Sequence, residues 1–223
     1  MTEALALDGL ERRYGERTAL SGVSVRVQAG ATLAVFGSNG AGKTTLLRVL
    51  AALLKPHAGR AQVLGSELPG EAWKVRAKVG YLGHESLLYR DLSVRQNLLF
   101  HARLHGVPEE RVDDRIAAVG LPQRAADPVR ELSRGMVQRA AVARATLHEP
   151  QLLLLDEPRA NLDPVAAAAL EPLIGKASGR TRVVVSHDVE GTLAEADLAL
   201  GLRAGRQVFA GEADAKQVRE LYA

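Results

Sequence analysis

An eight-residue string, Gly37-Ser38-Asn39-Gly40-Ala41-Gly42-Lys43-Thr44, restricts this chain to very few folds. Its glycines open backbone conformations closed to other residues, so that successive N–H groups can turn inward on an anion. Lys43 then reaches the outer phosphates of a nucleotide, and the Thr44 hydroxyl is placed for Mg²⁺. The flanks agree with this reading. Thr32 to Phe36 is a short apolar run that stops at Gly37, as a buried parallel strand does. After it, the spacing predicts a helix from about Gly42 to Leu54, with Leu46, Leu50, Leu53 and Leu54 on one face and Lys55-Pro56 ending it. The positive end of that helix adds to the attraction for phosphate.

A second strand end carries acids. Leu152-Leu153-Leu154-Leu155 runs into Asp156-Glu157-Pro158. In open α/β sheets, ligands bind at the C-terminal strand edge. Asp156 there suits the shell of a magnesium ion, and Glu157 can polarise an attacking water. Thr181 to Val185 leads in the same way to Ser186-His187, so His187 becomes a candidate contact for the terminal phosphate.

The rest of the chain fits around these points. Val23, Val25 and Val27 alternate with Ser24, Arg26 and Gln28, a half-buried strand preceded by a turn at Tyr14–Arg17. Ala61 to Leu64 and Val79 to Leu82 read as further strands. Leu92 to Leu147 is helical, broken at Pro108, Gly120, Pro122 and Pro128. A helix is expected over Pro164–Ile174, and a hairpin near the end around Ala204-Gly205-Arg206. The order implies an α/β fold with a mostly parallel core sheet and a helical insertion.

Composition mainly excludes. Without cysteine there are no disulfides, thiol nucleophiles or thiolate metal sites. The net charge of +3, with no basic run longer than Arg12-Arg13, gives no footprint for nucleic acid, and the arginines read as scattered solvated surface. The start has no basic head before an apolar run, so no secretory signal is expected. No stretch approaches the 18 or so apolar residues of a membrane span. His101 and His105, spaced i, i+4, read as a solvated helix face.

One more segment, Leu132-Ser133-Arg134-Gly135-Met136-Val137-Gln138-Arg139, opens a helix with Ser133 as N-cap. Together with the other motifs it resembles the LSGGQ signature of ATP-binding cassette (ABC) ATPases. The resemblance runs through nearly the whole chain in the family's order. Tyr14 matches the aromatic that stacks on adenine, Gly37–Thr44 matches Walker A, and Leu152–Glu157 matches Walker B. Asn161-Leu162-Asp163 falls at the D-loop, and His187 at the switch histidine. It implies a single P-loop NTPase domain over 1–223. Residues 1–85 and 149–223 would be the nucleotide-binding core with an N-terminal antiparallel β subdomain, and 86–148 the helical subdomain.

The resemblance also implies ATP and Mg²⁺ as cofactors, with Glu157, His187 and Lys43 as catalytic groups. Tyr14, Gly37, Ser38, Asn39, Gly40, Ala41, Gly42, Lys43, Thr44 and Thr45 would bind nucleotide, and Thr44, Asp156 and His84 the metal. Ser133 and Gly135 of a second copy, or of a homologous ATPase subunit, would close the site. The pair would drive an integral membrane transporter subunit from the cytoplasmic face, with no nucleic acid involved.

Three motifs depart from the family pattern. Arg134 and Met136 replace Gly and Gln in the signature, His84 stands at the usual Gln of the Q-loop, and Asn161 stands where Gly is common. The strings Tyr81-Leu82-Gly83-His84 and Ser38–Arg48 further resemble the ATP-binding subunit of the haem exporter of cytochrome c maturation. The alternative is the ATPase of an ABC-2-type exporter for a lipid, drug or polysaccharide. A soluble, non-transport ABC ATPase would carry insertions or a second cassette, and a P-loop small-molecule kinase would have no use for the signature segment.

Overall fold

In the computed structural model, which describes residues 2–222, the alternating start of the chain becomes a long antiparallel hairpin. Strands β1 (Glu3–Tyr14) and β2 (Arg17–Gln28) pair along their length. Val23, Val25 and Val27 are buried, while Ser24 and Arg26 face out. Strand β4 (Ala58–Val63) pairs antiparallel with β1, and β5 (Ser66–Leu68) with β4.

The other half of the sheet is parallel. It contains β3 (Thr32–Phe36), β6 (Val79–Leu82), β7 (Leu152–Asp156), β8 (Thr181–Val185) and β9 (Leu198–Arg203). Strand β10 (Arg206–Gly211) returns antiparallel to β9 and meets β2 at Arg206 and Ser21. The ten strands run β5-β4-β1-β2-β10-β9-β3-β8-β7-β6. The α/β fold of a P-loop NTPase, with a mostly parallel core and an antiparallel N-terminal region, is therefore the one observed.

The four leucines of β7 form an unbroken apolar run because the strand is covered on both faces. Leu152 and Leu154 pack with Leu46, Leu47, Val49 and Leu50 of α1 (Lys43–Leu50). Leu153 and Leu155 join Ala140–Ala143 of α5 (Arg134–Thr146), and Leu170 and Ile174 of α6 (Pro164–Ile174). Each such leucine contributes about 1.5–3 kcal/mol by burial. Helices α3 (Val94–His105) and α4 (Glu110–Ala118) lie in sequence between β6 and α5 and share that second core. Three short helices are not marked by the sequence pattern: α2 (Ala72–Arg76), α7 (Val189–Glu195) and α8 (Ala215–Arg219). Among the described residues no helix is long and apolar enough to cross a membrane.

Three expectations need correction. Helix α1 stops at Leu50, four residues before Leu54. Leu53 N–H reaches back to Arg48 O and Ala52 N–H to Val49 O, a Schellman closure with Ala52 in the left-handed region at φ 55°. Leu53 is thereby turned out to solvent. Nor are all arginines solvated. Arg144 is buried, donating to Tyr81 O at 2.6 Å and Ser86 O at 3.1 Å, and burial lowers its pKa to about 10. Arg182 is buried between Thr32 Oγ1, Ile174 O and Glu195 Oε2, at 3.0–3.1 Å. Of the pair expected on a solvated face, His105 is exposed, but His101 is not. The His105 ring stacks on His148 at 4.0 Å. His101 is half-buried, and burial first, then Arg144, lowers its pKa to about 4.

Asn97, fully buried in α3, fixes the segment that follows β6. Its Oδ1 accepts from Tyr89 N–H at 2.7 Å, and its Nδ2 donates to Tyr89 O, Leu92 O and Ser93 O. Asn97→Ala removes the acceptor of Tyr89 N–H, while Tyr89 O, Leu92 O and Ser93 O keep the N–H groups of Leu92, Val129 and Asn97 as donors. It should lower unfolding free energy by about 1 to 3 kcal/mol in urea titration. A change within experimental error would show that the segment is held by other contacts.

Candidate functional site

The phosphate loop is built by close approach. Gly37 has φ 149° and a Cβ there would lie 2.2 Å from Leu202 O; Gly42 has φ 105° and a Cβ there would lie 2.4 Å from Ala19 O. Only glycine fits either position, because each is at once left-handed and against backbone. The loop thus leans on β9 and β2 and opens away from them. Lys43 folds over it, donating to Gly37 O at 2.6 Å and Ser38 O at 3.0 Å. Burial holds the Lys43 amine below its ordinary range, while Asp156 and Glu157 pull it the other way.

Parallel pairing brings the acidic strand end to this loop. Val185 of β8 pairs with Val35 of β3 on one side and Asp156 of β7 on the other. The residues after these three strands therefore emerge at one level. Thr44 Oγ1 donates to Asp156 Oδ2 at 2.8 Å. This pair of hard oxygens suits Mg²⁺, which takes one or two protein ligands and completes its octahedron with water and phosphate. Among the described residues no group of three His, Cys, Asp or Glu side chains could hold a metal by itself. Such a pair fits an ion carried in with a nucleotide.

Glu157 follows in a left-handed conformation, φ 52°, fixed by its N–H on Val185 O at 2.9 Å. A non-glycine residue there stores about 1–3 kcal/mol of strain. Glu157 Oε1 is buried, 3.6 Å from Nε2 of the exposed His187. Burial raises the Glu157 carboxyl pKa; His187 lowers it and Asp156 raises it further. A carboxylate tuned in this direction is better matched to taking a proton from water.

These groups surround one cavity of about 720 Å³. Of the residues expected from the sequence, Tyr14, Asn39, Gly40, Gly42, Lys43, Thr44, Thr45, His84, Asp156, Glu157 and His187 line it. Gly37 and Ala41 are buried in the loop's base, and Ser38 lies exposed on the loop. Tyr14 is half-exposed at the rim, with the Arg12 guanidinium 4.9 Å from its ring centre. Ser133 and Gly135 are elsewhere. They line a second cavity of about 610 Å³ with Arg134, Met136, Asn161 and Asp163. Ser133 Oγ caps α5 by accepting Met136 N–H at 3.3 Å. Two cations on the first cavity's wall, Arg17 and Arg48, were not anticipated. Arg48 stands one turn beyond Thr44 on α1, a spacing that could have flagged it.

A family model described as ABC transporter matches residues 20–160. The chain belongs to the ABC transporter family. It is an ABC ATPase, and its cofactors are ATP and Mg²⁺. The daunorubicin resistance ATP-binding protein DrrA3 of Streptomyces coeruleorubidus is 38% identical, over 95% of this chain and 69% of its own length. The Nod factor export ATP-binding protein I of Ralstonia nicotianae is 36% identical, over 95% and 68%. An Fe(3+) ions import ATP-binding protein, FbpC 1 of Rhodococcus jostii, is 36% identical over 100% and 64%. A solved ATP-binding subunit of an ABC transporter superposes with TM-score 0.88 at 27% identity, covering 98% of both chains.

The raised Glu157 pKa makes a stability prediction. The folded chain holds that proton more tightly than the unfolded one, whose value is near 4.5. The ionised carboxylate therefore costs stability as pH rises from 4.5 through the folded value, and the cost is complete above it. Glu157→Gln should raise Tm at pH 7.5, with the gain vanishing toward pH 4, in calorimetric scans. An equal gain at both pH values would assign it to something other than ionisation.

Proposed function

We propose that two such cassettes meet head to tail and enclose two Mg-ATP, each between the phosphate loop of one chain and the Ser133–Gly135 turn of the other. The observation that carries this reading is the separation of the two cavities within one chain. Lys43, Asp156 and Glu157 line one, and the start of α5 lines the other. Each is an open half-site. In the closed pair, the N–H groups at the start of α5 and the Ser133 hydroxyl would complete the shell around the terminal phosphate.

The roles follow from chemistry. Lys43 and the loop amides bind the phosphates, Thr44 and Asp156 hold Mg²⁺, and Tyr14 stacks on the base. Glu157 takes the proton of the attacking water, and His187 contacts the terminal phosphate. His84, exposed on the cavity wall, would report the nucleotide's state to a membrane-spanning partner at the cytoplasmic face. ABC ATPase subunits dimerise and work with membrane transporter subunits, and both features are part of this reading. Glu157→Gln should bind Mg-ATP without turning it over, and should elute as a dimer in size exclusion with ATP and as a monomer without it. A monomer at saturating Mg-ATP would overturn head-to-tail closure for the isolated chain.

The energy is assigned to export. Haem is the cargo suggested by the Tyr81–His84 and Ser38–Arg48 strings. The relatives' names favour a second reading. One is a drug-resistance protein and another exports Nod factor, though a third imports Fe(3+). Reconstitution with the co-purifying membrane protein in vesicles separates them. Stimulation of ATPase activity by haem alone supports the first reading, stimulation by an amphiphilic drug alone supports the second, and ATP-dependent uptake against the export direction sinks both.

A further inference from the structure

The loop carrying Glu157 is gripped from the first turns of α5. Gln138 Nε2 donates to Pro158 O at 3.1 Å and to Glu157 O at 3.4 Å. At the loop's other end, Asn161 is also left-handed, with φ 61°. Its carbonyl lies against Gly135, where a Cβ would come within 2.8 Å of it. Helix α5 therefore holds both ends of the Glu157–Asn161 loop. Glu157 O also accepts from Ala160 N–H at 3.1 Å, and the Gln138 amide adds a donor from outside the loop to it and to Pro158 O.

We infer that Gln138 is a positioning residue for hydrolysis. It sets the backbone of Glu157, and so the aim of its carboxylate, from the helix whose N-terminus faces the other copy's nucleotide. The inference rests on Glu157 as the proton acceptor. The left-handed Glu157 has no glycine to relax it, so the loop's own turn bond is supplemented by contacts from outside it. Val185 O fixes the Glu157 N–H, and Ala160 N–H and the Gln138 amide share its carbonyl. Movement of α5 on meeting a second nucleotide would thus pass directly to Glu157 of its own chain. One ATP site would then sense whether the other is filled.

The test compares Gln138→Met, which keeps length and removes both donors, with Gln138→Lys, which restores N–H donors. Steady-state ATPase rates, the Kd of a fluorescent ATP analogue and Tm are measured for each. The Met variant should lose about 10- to 100-fold in kcat, as a misplaced catalytic group does. Its Kd should stay within about twofold of wild type, and Lys should recover most of the rate. A Met variant with wild-type kcat overturns the inference. So does a loss of rate that tracks a fall in Tm and that Lys does not restore, which would be a merely structural role. In a Glu157→Gln background, Gln138→Met should still form the ATP-dependent dimer; loss of the dimer would move Gln138 from positioning to closure and overturn the inference. Glu157→Gln alone keeps the two readings apart. Wild-type turnover in that variant removes Glu157 as the acceptor. Abolished turnover with a silent Gln138→Met removes only the clamp.

Discussion

Val185 pairs with two strands at once, and the site depends on that register. Its partners are Val35 in β3 and Asp156 in β7. A one-residue slip on either side would turn every side chain of the slipped strand to the opposite face. The phosphate loop, the acidic pair and His187 would then no longer converge. Register is secured by cores on both faces of the sheet, with Leu152 and Leu154 on one side and Leu153 and Leu155 on the other. Arg182 contributes from within β8. Its guanidinium ties Thr32 at the start of β3 to Ile174 at the end of α6 and to Glu195 at the end of α7. Chemistry at one end of the strands is thus braced by a buried cation at the other.

Much of this was legible because the site is made of contiguous strings. Gly37–Thr44 and Leu152–Glu157 carry their own secondary-structure context, so composition and spacing located both the loop and the acids. The limits of α1 were not legible. Its stop depends on Ala52 taking a left-handed conformation in which glycine is expected, and Leu53 and Leu54 continue a helical apolar pattern past the closure. Long-range packing was equally hidden. His101 keeps the spacing of a solvated face yet is half-buried near Arg144, and the exposed His105 stacks on His148; both partners lie some forty residues further along the chain. Gln138 looked like an ordinary helix residue, because its partners are backbone carbonyls that no side-chain pattern announces.

The separation of the two cavities also clarifies the glycine in the signature segment. Gly135 needs no phosphate to explain it: Asn161 O, within the same chain, leaves no room for a Cβ. Ser133 is likewise engaged at home, since its Oγ accepts Met136 N–H. A hydroxyl that accepts still has its O–H to donate. The cap therefore fixes the serine oxygen while leaving a donor for an anion arriving from outside.

Arg134 carries the same logic into electrostatics. It is the first residue of α5, exposed, and its cation stands at the positive end of the helix. Such a placement costs about 0.3–1 kcal/mol in a surface helix. The free chain has little to offset it, because the first turn of α5 holds no acid. A triphosphate laid across the turn reverses the sign, and the same cation then attracts. A glycine at this position would be neutral in both states. Under the proposed head-to-tail closure, arginine would make the open form slightly less stable and the occupied form more so, and would shift the balance toward closure only when nucleotide is present.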